Sequence, residues 1–125
     1  MAQKLSDFKW EKRLLIISNP SNNSEKEVEQ LQYLGPLDQD FTERKLLVLK
    51  LNDKTYSVRN SRETTIVSDP KSIKRLSLSE TEFSVLLIGL DGGIKLRQDQ
   101  IISREDLFAI IDGMPMRRSE LRQKN

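Results

Sequence analysis

Phe83-Ser84-Val85-Leu86-Leu87-Ile88-Gly89-Leu90-Asp91-Gly92-Gly93-Ile94-Lys95-Leu96-Arg97 decides the fold of this chain. The apolar run through Ile88 has the composition of a strand buried on both faces. Asp91-Gly92-Gly93 is a tight turn whose glycines supply the positive φ a hairpin demands. The pattern predicts that 83–89 pairs antiparallel with 94–97, with Ile94 and Leu96 on one side of the second strand and Lys95 and Arg97 on the other. A helix should follow: Ser103-Arg104-Glu105-Asp106 has N-cap character, and Leu107, Ile110, Ile111 and Met114 form an apolar stripe. Gly113 and Pro115 then stop it.

Working outward, Lys12-Arg13 leads into Leu14-Leu15-Ile16-Ile17, a second continuous apolar run that ends at Ser18-Asn19-Pro20. Ser24-Glu25-Lys26-Glu27 has the spacing of a capping box and predicts a helix with Val28, Leu31 and Leu34 as its apolar stripe, ended by Gly35-Pro36. Leu46 to Leu51 reads as another buried strand, with Asn52-Asp53 as a turn into a short strand at 55–58. Arg59 to Ser68 is polar and without clear period apart from Thr65-Ile66-Val67. Asp69-Pro70 then offers an N-cap and first helical position, with Ile73 and Leu76 on one helix face. Two strands separated by a helix should run parallel, whereas the final pair must be antiparallel. The expected class is α/β: a thioredoxin-like mixed sheet of four to five strands flanked by helices. It forms one domain over 1–125, with 1–9 and 119–125 peripheral.

Composition bounds the chemistry. The 125 residues hold 21 basic and 19 acidic side chains, no Cys and no His. Without Cys, thiol redox catalysis is excluded, and without either residue the side chains most often used for nucleophilic and transition-metal work are absent. No cofactor motif and no metal-ligand spacing is present. Charges of both signs are interleaved rather than blocked, so no nucleic-acid-binding arm is expected. No apolar run approaches the roughly 18 to 20 residues of a membrane-spanning helix, so no membrane partner is expected. Lys4 is not followed by a secretory-type apolar stretch. The chain as given reads as cytoplasmic, or as periplasmic or secreted if a leader has been removed.

Three groups of residues are candidates for function. Lys95 and Arg97 project from one face of their strand, and Arg117 and Arg118 lie just beyond the final helix. If they converge they form a basic patch for a carboxylate, a phosphate or an acidic protein surface, with Met114 and Met116 as an apolar lip. The same residues also serve as a solvated strand edge and a helix C-terminus, with Met114 completing the core stripe. Ser21, Asn22 and Ser24 lie in a loop before a helix N-terminus, where backbone N–H groups can hold an anion. The same composition also makes an ordinary polar turn ending in a cap. Asp91, Glu105 and Asp112 are acidic, but their spacing fits neither a calcium loop nor a paired-acid site.

Asp91-Gly92-Gly93-Ile94-Lys95-Leu96-Arg97, Leu107-Phe108-Ala109-Ile110-Ile111-Asp112 and Met114-Pro115-Met116-Arg117-Arg118-Ser119-Glu120 together resemble the C-terminal signature of the DUDES-type family. Trp10-Glu11-Lys12-Arg13-Leu14-Leu15-Ile16-Ile17 resembles its first strand. The resemblance implies a thioredoxin-like domain of unknown function, with related domains in animal matrix and sushi-repeat proteins. A thioredoxin-type enzyme places its reactive thiol at the start of the helix after the first strand. That place is occupied here by Asn19-Pro20-Ser21-Asn22-Asn23-Ser24, and a serine hydroxyl cannot cycle between thiol and disulfide. The expected function is a non-catalytic binding or interaction module for a protein or an anionic ligand. The competing reading is an enzyme or binding protein acting on an anionic small molecule through an Arg/Lys patch.

Overall fold

Six consecutive residues, Arg13–Ser18, form strand β1, and all six are buried. Such burial requires a layer on each side of the sheet, because alternate side chains point to opposite faces. The computed structural model describes residues 4–20, 24–60 and 66–123, and in it both layers are present. Leu15 and Ile17 of β1 join Val48, Val85 and Leu87 on one face, beneath Leu34, Phe41, Leu107 and Ile111. Leu14 and Ile16 join Leu49, Leu51, Tyr56 and Leu86 on the other, beneath Leu5, Phe8 and Leu76.

Helix α1 (Ser24–Leu34) leads from β1 to β2 (Leu46–Leu51), and these strands pair in parallel with Arg13 opposite Leu46 and Ser18 opposite Leu51. Between them lies a helix absent from the sequence reading, α2 (Gln39–Glu43). The Asp38 side chain caps it by accepting from the Asp40 N–H, and its one buried residue is Phe41. Strand β3 (Thr55–Val58) returns antiparallel from β2, and β4 (Ile66–Ser68) pairs antiparallel with β3. Helix α3 is Pro70–Arg75. Strand β5 (Ser84–Ile88) runs antiparallel to β1 and pairs with β6 (Ile94–Gln98) across the expected hairpin. Gly92 has the positive φ of that turn, +82°. Helix α4 (Arg104–Asp112) is capped by Ser103, whose hydroxyl accepts from the Asp106 N–H at 3.1 Å. Helix α5 is Pro115–Gln123.

The sheet therefore has six strands in the order β4-β3-β2-β1-β5-β6, not the four to five expected. The extra strand is β4, three residues of which only Val67 is buried, too short to show a period. Pro115 does not end the helical region. It restarts it, as proline does at a first helical position where no N–H is required. The N-terminus is not peripheral, since Leu5 and Phe8 sit in a 3-10 turn over Ile16 and Tyr56 and are buried. Nor is 119–123, where Glu120 pairs with the fully buried Arg13. In α1 the predicted stripe holds at Leu31 and Leu34, but Val28 is 52% exposed.

The side chain that α1 buries instead is Gln30. Its Nε2 donates to the Ile102 carbonyl and its Oε1 accepts the Ile102 N–H, both at 2.8 Å, so a carboxamide replaces a strand partner for the segment entering α4. Asn60 acts similarly on β2, accepting from the Val48 N–H at 3.0 Å and donating to the Leu46 carbonyl at 2.9 Å. Replacing Gln30 with Leu leaves both Ile102 groups buried and unpaired. It should lower unfolding free energy by about 2 to 6 kcal/mol in urea titration, from a penalty of about 1–3 kcal/mol for each of the two unsatisfied groups.

On the opposite face, burial first, and then the charges of Asp69 and Asp7, push the Tyr56 hydroxyl up to about 12. The unfolded chain ionises near pH 10 and the folded one does not, so stability from this residue is present below pH 10 and lost as pH rises towards 12. Alkaline denaturation followed by tyrosinate absorbance should show this loss, and Tyr56→Phe should flatten it.

Candidate functional site

Parallel pairing brings the carboxyl ends of β1 and β2 to the same edge of the sheet, where the chain departs from β1 on one side and β5 enters on the other. In open α/β sheets this is where crevices form. A cleft of about 770 Å3 lies here, lined by Ser18, Asn19 and Pro20 after β1 and by Leu51, Asn52, Asp53 and Lys54 at the β2–β3 turn. Pro70, Ile73 and Lys74 of α3, with Ser77, Leu78, Ser79 and Glu80 after it, close the third side.

The α3 wall is fixed from two directions. Asp69 precedes the helix, as predicted, but its carboxylate is not a cap. It is buried and accepts the Leu5 N–H at 2.7 Å, tying the N-terminal turn to α3. At the other end Ser77 has φ +51°, a left-handed conformation that is costly for a residue with a Cβ. Arg97, reaching from β6, holds this turn by donating to the Leu76 carbonyl at 2.6 Å and the Ser77 carbonyl at 3.1 Å. Arg97 thus shapes the cleft from behind without lining it.

The predicted basic residues do not form a single patch. Lys95 pairs with Asp91 at 3.0 Å within its own hairpin, where the Gly93 N–H and then Lys95 hold the Asp91 carboxyl below its usual value. Arg97 is engaged on the α3 face of the sheet. Arg117 belongs to the other layer and is 2% exposed. Its guanidinium meets Asp112 at 3.1 Å and Glu43 and Glu120 at 3.4 Å, while Glu120 also reaches Arg13 at 3.0 Å. Arg44 makes a two-pronged contact with Asp112 at 3.0 and 2.9 Å and lies over the Phe108 ring. Partial burial works to raise the Asp112 carboxyl, but hydrogen bonds from Arg44 and Arg117 overcome it and leave it lowered. Only Arg118 and Met116 of the predicted set are exposed on α5, and Met114 is partly buried against the core. Ser21 and Asn22, and the side chain of Ser24, lie outside the described residues. Of the residues that precede them, Ser18, Asn19 and Pro20 line the cleft.

Glu105 is exposed at the start of α4, apart from this cluster. Among the described residues there is no group of three or more acidic, Cys or His side chains that could hold a metal ion. No helix among them is long and apolar enough to cross a membrane.

A layered α/β domain with a cleft of mixed polar and apolar lining at the carboxyl ends of its parallel strands is the class the geometry defines. The chain matches, over residues 4–120, the family model described as Domain of unknown function (DUF4174), and it belongs to that family. It is 28% identical over 135 aligned positions to Coiled-coil domain-containing protein 80 of Danio rerio, an alignment covering 94% of this chain. The chain spans only 15% of the length of that relative. No solved structure matches it significantly.

The lysines of the cleft, Lys54 and Lys74, were not singled out in the sequence, because turn and short-helix lysines look like any solvated charge. The one available signal was topological: a predicted βαβ unit followed by an antiparallel strand places a crevice after the first strand. For Arg117 the expected effect of substitution is structural. Arg117→Met leaves Glu43, Asp112 and Glu120 without their shared cation and should cost about 3 kcal/mol at pH 7 in chemical denaturation. The lowered Asp112 pKa means its contribution is present above the unfolded value of 3.8 and lost as pH falls below it, so the deficit of the variant should shrink at pH 3.

Proposed function

We propose that this chain is a non-catalytic, thioredoxin-like binding module that engages its partner at the cleft between β1, the β2–β3 turn and α3. The thioredoxin-like reading is supported by a parallel βαβ unit followed by an antiparallel hairpin and a helix, with β2-β1-β5-β6 as the continuous core of the sheet. The DUDES-type resemblance points the same way. The observation that carries the binding role is the cleft itself: a concavity of about 770 Å3 at the strand ends, lined by amides, hydroxyls, lysines and carboxylates. The absence of Cys and His removes the usual reactive groups from its walls.

A second reading keeps Met116 and Arg118 as a partner contact, favoured by their exposure on α5. The two readings separate by comparative affinity capture on immobilised chain. Lys54→Glu/Lys74→Glu should abolish recovery of the partners retained by the native chain, and Met116→Ser/Arg118→Glu should leave it unchanged. The opposite pattern moves the contact to α5 and overturns the cleft reading. Thermal melts confirm that each variant is folded.

A further inference from the structure

The charged side chains of the cleft lie outside the ion-pair clusters that tie the fold together. On the sheet, Glu27 gathers both Lys50 and Arg59 at 2.9 and 3.1 Å, and Asp38 and Asp40 both pair with Arg104 at 2.9 Å. The cleft has two lysines, Lys54 and Lys74, and two carboxylates, Asp53 and Glu80, one of each sign on two of its three sides. None of the four forms an ion pair with another described residue. The lining also carries apolar side chains, Leu51, which is buried, and Ile73 and Leu78, which are partly buried.

A ligand that meets all of these groups must carry an apolar body and charges of both signs, with little net charge. A polyanion gains from the lysines what it loses to the carboxylates, and a purely apolar ligand leaves four charges to be desolvated unpaired. The volume lies in the upper part of the roughly 300–1,000 Å3 range of ligand sites, larger than a single free amino acid fills. We propose that the cleft takes an extended polypeptide segment in which an apolar side chain lies between an acidic and a basic residue. The proposal rests on the cleft being the binding site and adds the class of ligand.

The test uses the 15N-labelled chain and four probes: three capped heptapeptides sharing one Leu-Val-Leu centre and flanked by Glu on one side and Lys on the other, by Glu only, or by Lys only, and inorganic phosphate. The mixed-charge peptide should shift the amide signals of Ser18, Asn19, Leu51 and Leu78. It should bind roughly fivefold more tightly than either single-sign peptide, the advantage expected of two solvent-exposed ion pairs. Lys74→Glu, an exposed change that should leave the fold intact, should move the preference to the Lys-only peptide.

Equal or tighter binding of phosphate at the same signals would overturn the polypeptide assignment, and equal or tighter binding of either single-sign peptide there would overturn the mixed-charge requirement, in both cases leaving the cleft as a binding site. Shifts by the mixed-charge peptide confined to α5 or β6 would overturn both. No shift with any probe would overturn the inference, and the capture comparison would then judge the cleft separately.

Discussion

The full burial of β1 is the constraint from which the architecture follows. A strand with no exposed residue has to be hydrogen-bonded on both edges and covered on both faces. Its neighbours are therefore β2 and β5, and its covers are α1, α2 and α4 on one side and the N-terminal turn and α3 on the other. The two neighbours run in opposite directions. β2 is reached through a helix and must be parallel, so it ends beside β1 with Leu51 opposite Ser18, whereas β5 starts there with Ser84 opposite Ser18. The loops that leave β1 and β2 diverge at this edge, and α3 with its following segment forms the remaining wall. The cleft is a consequence of strand direction before it is a matter of any side chain.

Arginine does most of the tying between layers. Arg104 donates to the Leu34 and Pro36 carbonyls at 3.0 and 2.7 Å, satisfying the end of α1, while pairing with the acidic residues that open α2. Arg13 and Arg117 bind α5 to the edge of the sheet through carboxylates. α5 has no apolar stripe, and its one buried side chain is a guanidinium. This suits the planar, multi-donor geometry of arginine, which satisfies several acceptors at once and gives up hydration more readily than an ammonium group. A buried cation of this kind specifies position more than it adds stability, because desolvation offsets most of the Coulombic gain.

Features governed by neighbours in sequence were legible without coordinates. The β5–β6 hairpin rests on Asp91-Gly92-Gly93, the start of α4 on Ser103, and β1 and β2 on unbroken apolar runs. Features assembled across the chain were not. α2 has one buried residue and β4 has one, so neither offers a period to detect. Gln30 and Asn60 look like surface amides until the backbone groups they satisfy are brought to them. Arg117 reads as a free cation because Glu43 lies 74 positions away, although Asp112 and Glu120 are close enough in sequence to have warned of a local cluster. The cleft needs three separate segments, of which only the loop after β1 stands out in the sequence as a candidate.

Arg97 shows how a residue can be singled out for the wrong reason and still bear on the site. On sequence grounds it was half of a charged strand face. In the fold, its guanidinium spans from the outermost strand to the turn after α3 and holds two carbonyls there. Ser77, between those contacts and the cleft, takes a backbone conformation that glycine would adopt at lower cost. A left-handed serine persists only where its surroundings over-determine it, and here they are the Arg97 clamp on one side and the buried Leu76 on the other. The shape of the cleft is therefore coupled to the edge strand β6. Losing the Arg97 contacts would loosen a wall of the cleft that Arg97 does not itself line.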